Sequence, residues 1–231
     1  MTMTDSGAED ILFVGDIQGC SEPLERLLRA ADYSPDRHRL IPLGDTINRG
    51  PDNLGVLQLL RSLGAEPILG NHETKLLEVV DAGQEAAWLT RRSRPHDLLG
   101  SPQRQAWIDW IRQWPHWRRG RGWIAVHGGL HPVLPPQDTP RAFLVTARAC
   151  DARGNFPPDW DGHRETIPAG FRPWYDFYAG ADIVAYGHWA RQGLHRTHNT
   201  RGLDSGCVYG EALSAWWLRS DTIVQVSGQQ R

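Results

Sequence analysis

The chain has 231 residues, a formal net charge of -2, and a composition that is 40% hydrophobic and 23% charged. These values are typical of a globular protein and exclude intrinsic disorder and a fibrous architecture. A net charge this close to zero also provides no general electrostatic field for binding DNA. The length predicts one domain over residues 11–226, preceded by a disordered acidic tail at residues 1–10.

Short apolar runs alternate with amphipathic segments through the first half of the chain, a pattern typical of an α/β fold. The strands predicted from these runs lie at residues 11–14, 40–43 and 67–69, and a predicted helix follows each of them. Ser21 is the expected N-cap of the first helix, and Pro42 makes the second strand an edge strand or an irregular one. Tryptophans at helical spacing over 104–114 predict a further helix whose apolar face joins the core.

The second half of the chain contains more strands and fewer helices. Strands are predicted at 123–126 and 183–186, with two or three more between 203 and 226. Residues 131–181 are rich in proline and glycine, which favours a long connection over the surface rather than a linker between domains. Because long loops near a site usually shape substrate access, we interpret 131–181 as an access-loop region.

Five polar residues directly follow apolar, strand-like runs, and a glycine stands next to each of them. They are Asp16, Asp45, Asn71, His127 and His188. The carboxyl ends of strands form the ligand crevice of α/β sheets, so these residues are expected to converge on one point. Two aspartates, an asparagine and two histidines form a suitable ligand set for a pair of divalent cations. Two ions about 4 Å apart activate a water for in-line phosphoryl displacement.

The longer motifs carry more weight than the individual glycine-flanked residues. Gly-Asp pairs are common in turns, so a single pair is a weak signal. The segment at 44–50 is stronger, because an arginine between a buried acid and a glycine has little structural use. Gly-Asn-His-Glu at 70–73 is stronger still, since its chance occurrence is on the order of once in 10^5 positions. The order of these motifs favours a catalytic site over unrelated turns.

Together the motifs resemble those of the calcineurin-like metallophosphoesterases of the phosphoprotein-phosphatase superfamily. The matching segments are Gly-Asp-Ile-Gln-Gly at 15–19, Gly-Asp-Thr-Ile-Asn-Arg-Gly at 44–50, Gly-Asn-His-Glu at 70–73, His-Gly-Gly at 127–129 and Gly-His at 187–188. Within the superfamily the chain is most similar to symmetrical diadenosine tetraphosphatases, over nearly all of 11–219. The segments that carry this likeness lie at 48–51, 148–150, 173–174, 187–190 and 203–210.

The resemblance implies a fold and a ligand set. The implied fold consists of two mixed β-sheets packed as a sandwich with helices on the outside. Asp16 and Asp45 would bind a first metal ion. Asp45, Asn71, His127 and His188 would bind a second, so that Asp45 bridges the two ions.

The resemblance also implies residues that act on the substrate. His72 corresponds to the catalytic histidine beside the leaving group, and Arg49 corresponds to a phosphate-binding arginine. Arg148 is the expected second phosphate-binding arginine, with Arg141 and Arg153 as alternatives if replacement of Arg148 has no effect.

Three residues depart from the family pattern. Gln18 stands where many relatives carry a metal-binding histidine, which leaves a carboxamide oxygen or a water at a harder and weaker first site. Asn48 replaces the aspartate with which protein phosphatases support their catalytic histidine. Glu73 is more similar to protein phosphatases than to nucleotide hydrolases, which usually carry aspartate there. The connection at 131–181 is also shorter than in typical diadenosine tetraphosphatases, which argues against a full dinucleotide pocket.

These observations predict a metallophosphoesterase with two divalent ions, for which Mn2+ is the first choice and Fe, Zn, Co or Mg are the others. The expected reaction is attack of a metal-bridging hydroxide on a phosphoanhydride of a small nucleotide such as diadenosine tetraphosphate. The same motifs serve serine/threonine protein phosphatases, so hydrolysis of a phosphoprotein is an alternative. A second alternative is a catalytically weak regulatory module in which Gln18 has impaired the first metal site.

Other polar residues have less specific interpretations. His195 and His198 follow the Gly-His motif and are alternative ligands, although a histidine in a strand–turn–strand segment is more often solvated. Asp204 and Cys207 are interpreted as structural, because nearby glycines indicate a close approach of strands.

Three features of the sequence predict a cytoplasmic location. The three cysteines include no Cys-x-x-Cys pair, which favours a reducing compartment. Residues 1–10 lack the basic start and apolar stretch of a secretory signal. No apolar run approaches the roughly 20 residues that span a bilayer, so no membrane partner is expected.

Overall fold

The computed structural model describes residues 10–89 and 95–230. The predicted N-terminal tail therefore lies outside the described residues, apart from Asp10, which is the first residue of a strand. None of the helices in the described ranges is long and apolar enough to cross a membrane.

Two mixed β-sheets form the framework, as the resemblance implied. Four strands form the first sheet in the order β11–β10–β1–β2, where β1 and β2 are parallel and the other pairs are antiparallel. These strands are β1 (Asp10–Val14), β2 (His38–Pro42), β10 (Ala212–Trp217) and β11 (Thr222–Ser227). Pro42 ends an outer strand, which confirms the prediction from its missing N–H group.

Five strands form the second sheet in the order β3–β4–β7–β9–β8, with parallel pairs at its centre and antiparallel pairs at its edges. These strands are β3 (Trp117–Gly120), β4 (Trp123–Val126), β7 (Ile183–Tyr186), β8 (His195–Arg196) and β9 (Thr200–Gly202). A separate ribbon pairs β5 (Ala149–Cys150) with β6 (Arg172–Pro173).

The two sheets pack face to face through alternate residues of their strands. Ile11 and Phe13 of β1 share one apolar cluster with Trp123 and Ala125 of β4. The rings of Phe13 and Trp123 meet edge to face with their centroids 5.2 Å apart. Because successive side chains of a strand point to opposite faces, Leu12 and its alternate neighbours pack instead against the outer helices.

Seven α-helices lie in the described residues, and four of them were predicted from apolar spacing. They are α1 (Ser21–Ala30), α2 (Asn53–Ser62), α3 (Asn71–Asp81), α4 (Glu85–Trp88), α5 (His96–Gly100), α6 (Arg104–Arg112) and α7 (Arg141–Thr146). The tryptophan stripe predicted over 104–114 belongs to the core, since Trp107 of α6 and Trp114, two residues beyond the end of α6, are each 5% exposed. The other three helices have four to six residues, too few for a periodic apolar pattern.

Two local predictions were wrong. Residues 67–69 do not form a strand, because the chain there makes only isolated backbone bonds to β2, such as Ile68 N–H to the Pro42 carbonyl at 3.2 Å. Pro67 has no N–H group with which to extend that pairing. Ser21 is also not the N-cap of α1, since Cys20 occupies that position without a side-chain capping bond.

The proline- and glycine-rich segment 131–181 is more than a surface connection. It contains α7 and both strands of the small ribbon. Phe143 of α7 and Trp174, which directly follows β6, are 3% and 0% exposed and pack on the outer face of the second sheet. This layer leaves no periodic pattern in the sequence, because its apolar residues occur in short groups between prolines.

Candidate metal centre

The predicted strand ends converge on one cavity of about 520 Å³. Asp16 follows β1, Asp45 follows β2, and His188 follows β7. Eight of the predicted site residues line the cavity, namely Asp16, Gln18, Asp45, Arg49, Asn71, His72, Arg148 and His188. A ninth, His127, is fully buried and contacts Asp45. The parallel pairings β1–β2 and β4–β7 bring these strand ends to one edge of the sandwich.

Asp45 lies at the centre of this arrangement. Its Oδ1 accepts the backbone N–H of His72 at 2.9 Å and lies 3.3 Å from Nε2 of His127. Its Oδ2 lies 3.7 Å from Nε2 of His72 and 3.5 Å from Nε2 of Gln18. Both oxygens therefore face side chains of the site, as a carboxylate that bridges two cations requires.

His127 is held in the orientation of a metal ligand. Its Nδ1 lies 2.8 Å from the Leu43 carbonyl, so Nδ1 carries the hydrogen and Nε2 points into the site. Nε2 lies 3.1 Å from Oδ1 of Asn71. Asp45, His127 and His188 each offer one ligand atom, and these three atoms lie within 4.8 Å of one another.

Glu73 fixes the loop that carries Asp45. Its carboxylate is fully buried and accepts the backbone N–H groups of Asp45, Thr46 and Ile47 at 2.9, 2.8 and 3.2 Å. It also accepts the N–H of Gly70 at 2.9 Å and the hydroxyl of Thr46 at 2.9 Å. The departure noted at this position thus has a structural role, because one side chain ties the loop after β2 to the start of α3.

The backbone of the site is held in unusual conformations. Eight non-glycine residues in the described chain have positive φ, and five of them belong to the predicted site. These five are Gln18 (49°), Asp45 (46°), Asn48 (74°), Arg49 (66°) and His188 (66°). Such conformations persist only where the surrounding structure determines them, and they concentrate at functional sites. A glycine of the site also permits a close approach of the chain: a Cβ on Gly70 would lie 2.2 Å from Oδ1 of Asp45.

Burial and charge shift the pKa values of the central residues strongly. Burial lowers the pKa of His127, but the carboxylates of Asp45 and Asp16 raise it more, to about 10. Burial raises the pKa of Asp45, and the charges of His127 and His72 outweigh this effect and lower it. Burial and the neighbouring carboxylate of Asp204 raise the pKa of Asp16. The carboxylates and imidazoles therefore lie so close together that the charge of each group shifts the pKa of its neighbours.

The site has the donor set that a divalent metal requires. Oδ2 of Asp16 and Nε2 of His188 are buried, and neither has a hydrogen-bond partner among the described residues. Buried polar atoms without partners are rare, and a metal ion would satisfy both. Carboxylate, amide and imidazole ligands suit Mn2+, Zn2+ or Fe2+, so the residues present fit the ions that the motifs predict.

Asn48 stands where protein phosphatases carry the aspartate that supports their catalytic histidine, but its side chain does not hydrogen-bond to His72. Nδ1 of His72 contacts the Ile47 carbonyl at 3.1 Å. The Asn48 side chain is buried and makes no hydrogen bond within the described residues, and it does not line the cavity. Its backbone is held at positive φ with its N–H bonded to Oδ1 of Asn53 at 2.6 Å. A main-chain carbonyl, rather than the Asn48 amide, therefore orients His72.

Both predicted phosphate-binding arginines face the cavity. The guanidinium of Arg49 lies over the ring of Tyr209, 5.4 Å from its centroid. Arg148 is half-buried and donates to the His188 carbonyl at 3.3 Å. Arg141 instead pairs with Glu78 at 2.9 Å on the surface, and neither it nor Arg153 lines the cavity.

Several residues that sequence analysis did not assign to the site also line the cavity. They are Asp161, Gly162, Trp189, Ala190, Arg191, Asp204, Tyr209 and Glu211. Asp204 follows β9 and could have been assigned to the site by the same strand-end rule that identified Asp16, Asp45 and His188. His195 stacks on Tyr175 with ring centroids 4.8 Å apart, and neither it nor His198 lines the cavity.

Known proteins are similar to this chain in sequence and in fold. The family model for calcineurin-like phosphoesterases matches residues 10–192. A symmetrical bis(5'-nucleosyl)-tetraphosphatase of Dechloromonas aromatica is 30% identical over 92% of this chain and 94% of that protein. The enzyme of the same name from Stutzerimonas stutzeri is 32% identical over 90% of this chain and 93% of its own length.

Solved structures are also similar to this chain. The crystal structure of a candidate diadenosine tetraphosphatase matches with a TM-score of 0.80 and 31% identity, covering 99% of this chain and 97% of that chain. A serine/threonine protein phosphatase of Saccharomyces cerevisiae matches with a TM-score of 0.58 and 14% identity, which is a likeness of fold alone. The chain therefore belongs to the calcineurin-like phosphoesterases and is a hydrolase of phosphoester or phosphoanhydride bonds that uses divalent metal.

Proposed function

We propose that this enzyme hydrolyses dinucleoside polyphosphates, with diadenosine tetraphosphate as the representative substrate. The observation that carries the proposal is the full-length likeness to symmetrical bis(5'-nucleosyl)-tetraphosphatases, together with one cavity that contains the metal-ligand motifs and two arginines. Symmetrical cleavage of such a substrate would release two nucleoside diphosphates.

We assign two divalent ions, preferably Mn2+, to the centre. Asp16 and Asp45 would hold the first, and Asp45, Asn71, His127 and His188 would hold the second. When bound, the ions would lower the pKa of a water to provide the nucleophile. Arg49 and Arg148 would bind the nonbridging phosphate oxygens, because a planar guanidinium matches the geometry of a phosphate. His72 would hold or donate the proton at the leaving oxygen.

The leaving group favours an anhydride over a phosphoserine. Nδ1 of His72 contacts the Ile47 carbonyl at 3.1 Å, and its Nε2 lies 3.7 Å from Oδ2 of Asp45. A serine alkoxide needs a strong acid in order to leave, whereas a terminal phosphate oxygen has a pKa of only about 6. Release of a nucleoside diphosphate therefore needs less protonation of the leaving oxygen than release of a serine alkoxide.

Product analysis tests the proposed reaction. Diadenosine tetraphosphate is incubated with enzyme and Mn2+, and the nucleotides are separated by anion-exchange chromatography. ADP as the sole early product supports symmetrical cleavage. Equal amounts of ATP and AMP, or no turnover, would reject it.

Metal titration tests the ligand assignment. We expect one tight ion and one weak ion per chain, because the second position has two histidines and the first has the neutral Gln18 in place of one. Activity is expected to rise with added Mn2+ and to vanish after chelation. Calorimetry and metal analysis check this result. Two equally tight ions, or full turnover after exhaustive chelation, would contradict the assignment.

Replacement of Arg49 by lysine tests phosphate binding. Arg49→Lys retains the charge but loses the planar pair of donors, so we expect a decrease in kcat/KM of roughly tenfold, about 1.4 kcal/mol. Steady-state kinetics measure the effect, and circular dichroism checks that the fold is intact. Arg141→Lys is the matched control, because Arg141 lies in a surface ion pair with Glu78. Equal rates for both variants and the native enzyme would make Arg49 a structural residue.

A further inference from the structure

The side chain of Arg49 lines the cavity with few contacts to hold it. Its backbone is fixed, since the N–H of the next residue, Gly50, bonds the Gln18 carbonyl at 2.8 Å. Its guanidinium makes no hydrogen bond and no ion pair with any other residue that the structure describes. An arginine side chain has many rotamers, and fixing them when a ligand binds costs conformational entropy. A contact that holds the guanidinium without occupying its N–H groups would reduce this cost.

The ring of Tyr209 makes such a contact. Cζ of Arg49 lies over the ring, 5.4 Å from its centroid. A cation is attracted to the face of an aromatic ring, whereas the five N–H donors of a guanidinium lie in its own plane. The contact therefore leaves those donors free for phosphate oxygens. Both side chains line the cavity of the metal centre.

Tyr209 is held on a fixed main chain and contributes little to the core. It ends a 3-10 turn that begins at Cys207 and lies between Gly206 and Gly210, whose φ values are 75° and 93°. Cys207 is buried, and its carbonyl accepts the N–H groups of Gly210 and Gln229 at 3.1 and 2.8 Å. Tyr209 itself is 44% exposed, so apolar packing does not account for its ring at this place.

We propose that Tyr209 is a positioning residue that holds the guanidinium of Arg49 in the orientation that binds phosphate. This inference rests on the proposed phosphate-binding role of Arg49. The aromatic ring, rather than the hydroxyl, carries the effect, since the ring contacts the cation. Tyr209 thus acts on the substrate through Arg49.

A double-mutant cycle tests the inference, because it measures whether the two side chains act together. The Kd of inorganic phosphate for the full chain loaded with Mn2+ is measured by calorimetry. The proteins compared are the native enzyme, Tyr209→Leu, Arg49→Ala and the double variant. We expect Tyr209→Leu to raise this Kd roughly three- to tenfold, and to change it less than about 1.5-fold when Arg49 is already alanine.

Two further variants control for the loss of the ring. Tyr209→Phe keeps the ring and is expected to bind phosphate within about twofold of native. Phe177→Leu removes a ring from a similar contact, in which Arg172 lies 4.5 Å from the centroid, and neither of these residues lines the cavity. Its phosphate affinity is expected to remain native. Circular dichroism checks the fold of each variant.

Four results would overturn the inference. Tyr209→Leu could bind phosphate with native affinity. It could weaken binding equally with and without Arg49, which would assign an independent contact to Tyr209. Tyr209→Phe could lose as much affinity as Tyr209→Leu, which would assign the effect to the hydroxyl. Phe177→Leu could lose as much affinity as Tyr209→Leu, which would show a general effect of losing a ring.

The single variant Arg49→Ala separates these failures from failure of the proposed function. If Arg49→Ala binds phosphate with native affinity, the phosphate-binding role of Arg49 is rejected, and the inference is rejected with it. If Arg49→Ala binds phosphate weakly and one of the four results occurs, the role of Arg49 stands and only the inference fails. No nucleotide is used, so the outcome does not depend on which substrate the enzyme cleaves.

Discussion

His127→Ala is expected to lower kcat by roughly a thousandfold, about 4 kcal/mol in the activation barrier. The imidazole is fully buried, contacts Asp45 at 3.3 Å, and is oriented by the Leu43 carbonyl. Its removal would delete a proposed ligand of the ion that we expect to bind more tightly. Steady-state kinetics at saturating Mn2+, together with metal analysis of the purified variant, measure the effect.

His195→Ala is the control for this experiment. His195 is half-buried and stacks on Tyr175 away from the cavity, so its replacement is expected to leave turnover within about twofold of native. Near-native turnover of His127→Ala at saturating metal would show that His127 is not a ligand. A large loss in both variants would indicate that the fold, rather than the site, is damaged.

Glu73→Ala is expected to lower the free energy of unfolding by about 3–5 kcal/mol. The substitution leaves the backbone N–H groups of residues 45–47 and of Gly70 without the acceptor that they share in the native protein. Glu73→Gln retains one acceptor oxygen and is expected to lose less, about 1–3 kcal/mol. Urea denaturation followed by circular dichroism gives both values.

Glu78→Ala provides the comparison, because Glu78 lies five residues further along α3. Glu78 is exposed and pairs with Arg141 at the surface, so its loss is expected to cost about 0–1 kcal/mol. If Glu73→Ala is as stable as Glu78→Ala, the buried carboxylate does not hold the loop after β2.

The site residues that could be predicted are those that follow a simple rule of α/β sheets. Asp16, Asp45 and His188 follow apolar strands whose carboxyl ends share one edge, so their convergence follows from the strand pattern. Asp204 obeys the same rule but follows β9, a three-residue strand whose centre is the buried Arg201. Without an apolar run, the strand was not predicted, and the carboxylate after it was interpreted as structural.

Other features of the site depend on tertiary packing that leaves no local pattern. The motif at 70–73 marked Glu73, but no spacing shows that its carboxylate reaches across to the N–H groups of the loop after β2. Tyr209 lines the cavity because a 3-10 turn between Gly206 and Gly210, both with positive φ, presents it there. Asp161 belongs to the 131–181 segment, whose course depends on the apolar layer beneath it.

The most direct test of the proposed function compares two substrates on the native enzyme at one Mn2+ concentration. Initial rates over a range of substrate give kcat/KM for diadenosine tetraphosphate and for a phosphoserine peptide. We predict a higher kcat/KM for the dinucleotide, because a nucleoside diphosphate leaves without the strong acid that a serine alkoxide requires. A higher kcat/KM for the phosphopeptide would contradict the phosphoanhydride assignment and identify a protein phosphatase.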